Sequence, residues 1–479
     1  MRFLLRPLLC TGVISDCPLV FGPTALASVF DSPYISGGYY SQGLLDAETP
    51  DGTAAGSFAP GVSHVTLEIN TGTTKMAASK HRGLENGKVN FLLVILAVLS
   101  CYVLPVEASA INIKTGDMWV TDNAGAVDNG RILKITPAGV STVAVTAADI
   151  DAARTVAGDT FPEGMGARFT DNDIVFDAFG NFYFTESVSD GLFRLNQNNQ
   201  LVQLVKESDI TAKTQKTSAA PQCIAAGSSV QLYVTDANSD SVLSINRVTG
   251  EVQVVASESA LQSALGVEDI DLEGGITLSP DETTLYVVND QDTDSLIAID
   301  ISGPTPAISQ LAAETEFPGG DADLDHFITT AANGDILVVD DDNDRIARVS
   351  PDDGTVTVFL SESTIETVLG TDVSPWAGID FDLEGNFFMA QSTDPDAILK
   401  WPVDDLGAGT IHTNSGSIFA SEPNILADIG DPMGQTNFLG GFTFVPVIVP
   451  DPTIPEPGTI LLLGLGVCGA VARRRSRCT

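Results

Sequence analysis

The central part of this 479-residue chain has few cysteines and few positive charges. Of its 6 cysteines only Cys223 lies between residues 111 and 450, which excludes an internal disulfide there. The whole chain has 23 Lys and Arg against 63 Asp and Glu, a net charge of −40. Residues 1–110 contribute −2 and residues 458–479 contribute +4, which leaves −42 on the remainder. Such a charge excludes nucleic acid as a partner, disfavours anionic lipid, and favours cations or basic partners.

Long apolar runs are missing as well, because no stretch reaches the roughly 20 residues of an unaided membrane span. With neither a disulfide nor a membrane to stabilise it, the region from 111 to 450 must depend on a large apolar core. A chain of roughly 340 residues with short β-rich segments can bury such a core.

The end of the chain has three parts in a fixed order. Helix breakers come first, at Pro455, Glu456 and Pro457, and an apolar stretch of 14 residues runs from Thr459 to Ala472. The basic residues Arg473, Arg474 and Arg475 follow and are expected to stay in the cytoplasm. This order, with the literal Pro-Glu-Pro, resembles the PEP-CTERM signal of bacterial surface proteins. The resemblance implies a transmembrane sorting helix at 458–479 and, as a partner, an exosortase-type processing enzyme. A buried core helix is the alternative, but four arginines are hard to place in a core.

Such a tail requires a secretion signal, and the sequence has one at residues 76–110. Lys80, Arg82 and Lys88 form a basic region, and Phe91–Leu99 is the apolar segment. Ala108 and Ala110 then form an A-x-A cleavage site. These features predict export through the Sec pathway, transient anchoring in the inner membrane, and a final place at the cell surface or outside the cell.

The first 75 residues have no clear core pattern, so we interpret them as a non-native extension from an early start codon or as disordered. A second interpretation takes Met1–Ala27 as the signal, because Arg2 and Arg6 precede an apolar run. Phe91–Leu104 would then be a membrane anchor, for which it is short.

Between these ends one pattern recurs six times: a small polar turn, an apolar strand ending in an acid or amide, another turn, and a second apolar strand. The copies begin Gly116-DMWVTD, Gly180-NFYFTE, Val230-QLYVTD, Thr283-TLYVVN, Gly334-DILVVD and Gly385-NFFMAQ. A preceding strand and a following strand make four per unit, at a period near 51 residues. Short strands at such a period are typical of propeller blades. The sequence therefore predicts an all-β fold, a six-bladed β-propeller with four-stranded blades over residues 111–446.

Ring closure and the joints between blades can also be predicted. Gly440–Phe444 resembles the inner strand that begins at Gly274, so we expect it to complete the first blade. Residues 447–457 would then be a Pro-rich linker to the tail. Ser257 and Ser361 each start a segment of acids followed by apolar residues at helical spacing, which predicts short capped helices between blades. Looser copies start at Thr146 and Lys206.

The strands near Trp119, Gly130 and Asn172 resemble blades of NHL, gluconolactonase-like and streptogramin-lyase-like propellers. That resemblance implies a divalent metal in the central channel, held by Glu and by Asn or Asp side chains at the mouths of inner strands. Asn172 and Asp173 match one such position. Gly274 and Gly275 stand at another, and Trp376 and Ala377 at a third, so two expected ligands are absent. A lyase-type mechanism also needs a histidine, and the body offers His326 and His412.

The candidate channel ligands precede the predicted inner strands and are Asn172, Asp173, Asp325, His326 and Trp376. Asn, Asp and His at a channel mouth can hold Ca²⁺ or another divalent cation. The alternative is that these groups only satisfy inner-strand amides and channel waters.

Acidic turns recur between the second and third strands of successive units. Asp290, Asp292 and Asp294 have the spacing of a calcium loop, but no glycine follows at the sixth position and Ile301 stands where a glutamate would close it. Because Asp also favours tight turns for backbone reasons, structural hairpins and weak calcium sites both remain open.

The sequence as a whole predicts a monomeric propeller that touches the membrane only through its C-terminal tail. Its expected function is binding or scaffolding, with an extracellular polysaccharide or a surface protein as the partner. The alternative is a metal-dependent lactonase-like hydrolase or a lyase that acts in the channel.

Overall fold

A computed structural model describes residues 67–70, 73–76 and 113–449, with gaps at 124–129, 160–165, 170–171, 292–293, 321, 372, 374–377, 393–395, 406–409, 412, 432–433 and 439. The predicted cleavage site at Ala108 and Ala110 and everything beyond Val449, including the sorting tail, lie outside the described residues. The chain divides into residues 1–102 and 103–479. In the first unit the described element is an antiparallel hairpin of β1 (Leu67–Asn70) and β2 (Thr73–Met76). The assignments of residues 1–75 and 76–110 stay predictions.

The second unit is built from short strands. In chain order they are β3 (Met118–Asp122), β4 (Arg131–Ile135), β5 (Ser141–Val145), β6 (Ile174–Phe176), β7 (Phe182–Glu186), β8 (Gly191–Leu195), β9 (Leu201–Val205), β10 (Pro221–Ala226), β11 (Gln231–Asp236), β12 (Ser241–Asn246), β13 (Val252–Ala256), β14 (Ile276–Leu278), β15 (Thr284–Asn289), β16 (Ser295–Asp300), β17 (Ala307–Ala313), β18 (Leu324–Thr330), β19 (Ile336–Asp340), β20 (Arg345–Val349), β21 (Val356–Leu360), β22 (Ile379–Phe381), β23 (Phe387–Gln391), β24 (Ala397–Trp401), β25 (Val403–Asp405), β26 (Thr410–Ile411), β27 (Ser417–Ser421) and β28 (Phe442–Phe444).

These strands form six four-stranded antiparallel sheets, which confirms the predicted six-bladed propeller. From the channel outward the blades are β28-β3-β4-β5, β6-β7-β8-β9, β10-β11-β12-β13, β14-β15-β16-β17, β18-β19-β20-β21 and β22-β23-β24-β27. The sixth blade also carries an extra hairpin of β25 and β26 before its outer strand.

The two faces of the ring carry different connections. We call one the hairpin face, because it carries the turns between second and third strands, such as residues 187–190 and 237–240. The opposite face is the exit face, with the turns after each first and third strand, such as 177–181 and 247–251. Because the strands within a blade alternate in direction, each inner strand starts at the hairpin face and ends at the exit face.

The ring is closed by the last strand, as predicted from Gly440–Phe444. Phe442, Thr443 and Phe444 of β28 pair with Val120, Trp119 and Met118 of β3. Each inner strand also contacts the inner strand of the next blade, from β28 to β6 and round to β22 and back to β28. Because the first and last parts of the propeller share one sheet, the ring has no break between its ends.

The core lies between blades, which explains why the second strands are so apolar. All five residues of β7 are buried. Phe182 and Phe184 face the first blade, in a cluster with Trp119, while Tyr183 faces the third blade. Aromatic packing stabilises the first joint, where Trp119 meets Phe182 with ring centroids 4.7 Å apart. Because successive side chains of a strand point to opposite faces, one strand contributes residues to two cores, one on each side of its blade.

The outer rim is interlocked by bulges. In all six blades the pairing of third and fourth strands shifts by one residue at the same place. The carbonyl at such a bulge contacts a turn glycine of the next blade: a Cβ on Gly250 would lie 2.4 Å from Leu204 O, and one on Gly354 would lie 2.0 Å from Leu311 O. Both glycines have positive φ, so these positions need glycine for conformation and for space.

Short helices join the blades at the hairpin face, as predicted. They are α1 (Ala147–Ala157), α2 (Glu207–Thr214), α3 (Glu258–Leu265), α4 (Glu362–Leu369) and α5 (Glu422–Asp428). The Ser257 and Ser361 side chains cap α3 and α4 by accepting from the backbone N–H of Ala260 and Thr364. The fourth residue of each helix is buried against the blades, as with Leu261 and Ile365. Among the described residues, no helix combines the length and the apolar character that crossing a membrane demands.

The residues after β28 pack against the ring as far as Val449, and the predicted linker beyond that residue lies outside the described residues. Val445 is fully buried and exchanges hydrogen bonds with the loop before β3: its N–H donates to Asp117 O and its carbonyl accepts from Gly116 N. Ile448 packs on the aromatic cluster of the first joint, and Val449 N–H donates to Ala178 O over 3.0 Å. We call Val445–Val449 the strap, because it ties the end of the ring to the first and second blades.

Candidate functional site

The central channel has a mostly polar wall. The middle residues of the inner strands face one another across it, and they are Val175, Ala225, Thr277, Thr329, Asp380 and Thr443. These residues occupy matched register positions, since Val175 pairs with Tyr183 and Thr277 with Tyr286. The cavity that they line holds about 200 Å³. Hydroxyl and carboxylate groups therefore project into a narrow channel from several blades.

Asp173, a predicted ligand, does lie on this channel, at the start of β6. Its Oδ1 accepts from Ile174 N over 2.7 Å, and the carboxylate also accepts from the backbone N–H of Ile224 in the third blade. Burial raises the pKa of Asp173 to about 7, against these hydrogen bonds, and the charge of Asp380 adds to the rise. Gly441 makes room for the carboxylate, because a Cβ there would lie 1.9 Å from Asp173 Oδ1. The carboxylate therefore ties two blades together while facing the channel.

Asp380 is the second channel acid, and the sequence reasoning did not select it. Its carboxylate accepts from Phe381 N in its own blade, from Phe444 N and the Thr443 hydroxyl in the first blade, and from Thr329 Oγ1 in the fifth. Burial raises its pKa to about 7. The sequence did contain an indication of this position. Side chains alternate between the two faces of a strand, so Asp380 must point away from the apolar face that carries Ile379 and Phe381.

Asn172 is buried just above Asp173, near the hairpin-face mouth. Its Nδ2 donates to Thr185 Oγ1 and to Pro221 O, both over 3.2 Å. Its Oδ1 is buried without a partner among the described residues. An orphaned amide oxygen is the kind of donor that a hard cation accepts, so Asn172 fits the predicted ligand position. Asn172 Oδ1 and the Asp173 carboxylate are two oxygen donors, whereas Ca²⁺ takes six to eight.

The remaining predicted ligands are located only in part. Asp325 and His326 lie inside β18, whose pairing shifts between Leu324 and Ile328, and not before the strand as predicted. Their side chains, and the whole of Trp376, lie outside the described residues. Gln222 and Cys223 are likewise inside β10, at an equivalent shift. The prediction was wrong on these boundaries because an irregular stretch of inner strand looks like a loop in the sequence.

The threonine and acid that end each second strand have structural roles. Thr185 Oγ1 donates to Gln222 O, and Thr121 Oγ1 donates to Gly441 O, so each hydroxyl bonds an inner strand of the ring. The final acid accepts the backbone N–H of the segment leading into the inner strand of its blade. Asp236 accepts from Ala220 N over 2.6 Å, and Glu186 from Arg168 N over 2.9 Å. The repeated Thr-Asp and Thr-Glu pairs therefore hold the inner strands in place.

The acidic turns bring three carboxylates together between the fourth and fifth blades. One oxygen each of Asp290, Asp294 and Asp323 lies within 4.8 Å of the other two. Asp294 is buried, and its Oδ2 accepts from Leu324 N over 2.6 Å. Burial, together with the neighbouring negative charges, raises the pKa of Asp294 to about 7 and of Asp290 to about 6. Asp292 lies outside the described residues. The turn therefore has a structural role in holding Leu324, and it concentrates negative charge.

The end of the chain matches a known family model. Residues 453–476 match the PEP-CTERM protein-sorting motif, so the chain carries this motif at its C-terminus. The motif implies export, association with the cell surface, and processing by an exosortase-type enzyme. No curated protein sequence matches the chain.

Several solved structures are similar to the propeller at low identity. One is the nidogen/laminin complex, with a TM-score of 0.45 and 13% identity over 70% of this chain and 100% of that chain. Virginiamycin B lyase from Staphylococcus aureus has a TM-score of 0.36 and 15% identity over 63% and 88%. A gluconolactonase from Xanthomonas campestris has a TM-score of 0.37 and 14% identity over 59% and 85%. At these scores the likeness carries no argument about activity.

Proposed function

We propose that this protein is a surface-sorted β-propeller whose function is binding, with the polar channel and its hairpin-face mouth as the binding site. The observation that carries the proposal is that the polar channel groups are held in place by hydrogen bonds between blades. Asp380 is bonded to groups from the first, fifth and sixth blades, and Asp173 to the second and third. A rigid polar wall suits recognition, because its groups lose little freedom when a ligand arrives.

The chemistry of the wall indicates the kind of ligand. Thr277, Thr329 and Thr443 supply hydroxyl groups, and the two acids supply acceptors, around a cavity of about 200 Å³. Hydroxyl and carboxylate groups bind ligands that are rich in hydroxyls, so a sugar unit at an end or branch of an extracellular polysaccharide fits the channel better than an apolar ligand. A surface protein that inserts a polar side chain is the other partner that the sorting motif permits.

The test compares channel variants with a matched surface variant. Thr277→Val and Thr443→Val each remove one channel hydroxyl at nearly constant volume, whereas Thr142→Val changes an exposed outer-strand threonine. We expect the double channel variant to weaken binding of purified cell-surface polysaccharide at least tenfold, while the Thr142 variant binds as the unchanged protein does. Binding of extracted surface proteins, measured in parallel, distinguishes the two partner classes. Equal binding by all variants would contradict a channel site.

A second candidate function is metal-dependent hydrolysis or elimination in the channel. It is favoured by one observation, the buried Asn172 Oδ1 without a described partner beside the Asp173 carboxylate. Elemental analysis of the purified protein tests it directly. One divalent ion per chain, lost in Asn172→Ala and kept in Thr142→Val, would support a metal centre, and absence of a stoichiometric ion would leave binding as the function.

A further inference from the structure

The strap determines which face of the propeller the sorting tail leaves from. β28 enters the first blade at the hairpin face, where Thr121 N–H donates to Gly441 O, and it ends at the exit face beside Met118. The chain therefore emerges from the ring at the exit face, close to the channel.

The strap then holds the chain on that face. Val445 bonds to Gly116 and Asp117, and Val449 N–H donates to Ala178 O in the turn that follows β6. Ile448 lies so close to Gly180 that a Cβ on this glycine would meet Ile448 Cδ1 at 2.8 Å. All these partners lie in exit-face loops near the inner strands. The last described point of the chain is thus a fixed position near the centre of the exit face.

The length of chain beyond that point limits what the tail can reach. Nine residues separate Val449 from Thr459, where the apolar stretch starts, and the ten steps from one Cα atom to the next span at most about 35 Å when fully extended. A path to the hairpin face must cross three inter-strand spacings, about 15 Å. It must then climb a strand of about 17 Å and pass a helix about 10 Å thick. That path of about 40 Å exceeds the reach of the chain.

We propose that the strap holds the propeller with its exit face toward the attachment point of the tail, so that the hairpin face, with the channel mouth at Asn172, is presented outward as the interaction surface. The orientation is the same before and after processing, because in either state the chain is attached through the residues that directly follow the strap in the sequence. The outward face carries the acidic turns, so its charge fits a basic partner better than an acidic one. Only the description of this face as a binding surface rests on the proposed function.

Energy transfer to lipid can measure the orientation without any partner. Val156 in α1 is 86% exposed on the hairpin face, and Val248 is 50% exposed in an exit-face turn. The protein with its tail is reconstituted into phosphatidylcholine vesicles that contain an acceptor lipid, with a fluorescent amino acid at one of the two positions. We expect at least twofold greater transfer from position 248 than from position 156. Equal transfer, or greater transfer from position 156, would overturn the proposal whether or not the protein binds a polysaccharide.

A strap variant supplies a matched control. Ile448→Ser removes a side chain packed on the core, whereas Val447→Ser changes one that is 64% exposed. Release of the strap lengthens the free linker, so we expect the difference between positions 248 and 156 to shrink in Ile448→Ser and to persist in Val447→Ser. If the difference in energy transfer between positions 248 and 156 persisted undiminished in both variants, the strap would not determine the orientation.

Discussion

The first three blades and the fourth and fifth blades share one architecture but differ in how much positive charge they contain, although Asp340 in the fifth blade also pairs with a cation, Arg345. In the first group buried acids are paired with arginines: Glu186 with Arg154, and Asp177 with Arg247 over 3.3 Å. Between Arg247 and Arg345 the sequence has 22 Asp and Glu and not one Lys or Arg. The charges that raise the pKa of Asp290 there come from Asp323, Asp271 and Glu273, all negative.

This difference shows that the apolar core between blades determines the fold, whereas the charged groups change its stability. The fourth and fifth blades are closed by aliphatic packing of Val288, Leu324 and Val338 despite the acids at their rim. The first joint combines aromatic packing with compensated charge. We therefore expect the two regions to respond differently to substitution.

The largest effect is expected from breaking a buried ion pair in the compensated region. Arg154→Met leaves the fully buried Glu186 without its guanidinium partner, which costs about 3–5 kcal/mol of unfolding free energy. The control Arg348→Met disrupts a more exposed pair with Asp335, worth about 0–1 kcal/mol. Chemical denaturation of both variants measures the difference. Similar losses of unfolding free energy in the two variants would mean that burial does not make the Arg154–Glu186 pair more important for stability than the Arg348–Asp335 pair.

The next effect concerns the rim contact between the fourth and fifth blades. Gly354→Ala places a Cβ 2.0 Å from Leu311 O at a φ of 71°, so we expect a loss of about 3 kcal/mol from clash and strain together. Gly370→Ala has a φ of 76° with open space around the Cβ, and should lose about 1–2 kcal/mol from strain alone. The difference in melting temperature between the two variants measures the effect of the contact with Leu311 O. Equal melting temperatures would show that the bulge carbonyl moves aside freely.

A smaller effect is expected from pH, to which the fourth and fifth blades contribute alongside the channel acids Asp173 and Asp380, whose pKa burial also raises to about 7. In the folded protein burial raises the pKa of Asp294 to about 7 and of Asp290 and Asp341 to about 6, from 3.8. The folded state therefore binds protons more tightly, so stability should rise as pH falls from about 8 toward 4 and be lost in the opposite direction.

Thermal melting at steps of pH, in buffer without divalent ions, measures this dependence. Asp294→Asn removes one of the raised groups and keeps an oxygen for Leu324 N–H, so its melting temperature should be higher at pH 8 and vary less with pH. A melting temperature that falls on acidification over this range would contradict the assignment. Marked stabilisation by Ca²⁺ in the unchanged protein, absent in Asp294→Asn, would instead support the calcium interpretation of the turn.

The smallest change in stability is expected when the chain is cut just after the strap, whereas a cut before the strap costs more. Truncation after Val449 keeps the strap and should leave the melting temperature within about 1 °C while abolishing surface location. Truncation after Phe444 removes Val445 and Ile448 from the core and should lower stability by about 2–4 kcal/mol. Cell fractionation and melting of both forms test the boundary, and an unfolded protein after the first truncation would refute it.

Much of the fold was predictable because each blade repeats the same local pattern. Short apolar runs at Trp119 and Phe182, repeated at a regular period, predict strands, and the likeness of Gly440–Phe444 to an inner strand predicts closure, which β28 confirms. Asp173 was predictable as a channel group from its place before an inner strand. Asp380 was not predicted, because alternation with Ile379 and Phe381 shows only that its side chain opposes theirs, and the closed ring decides which of the two faces lines the channel.

The sequence by itself determined the number of blades, the closing strand and the sorting motif in the tail. These features depend on short local patterns and on contiguous motifs. Only the tertiary structure decided that Arg154 meets Glu186, that Gly354 lies on Leu311 O, and that Val445–Val449 folds back on the second blade. Such contacts join residues far apart in the chain, and their partners are chosen by how the blades stack. The strap could not be predicted for the same reason, because its contacts are with distant residues and its end lies in a Pro-rich segment that predicts a linker.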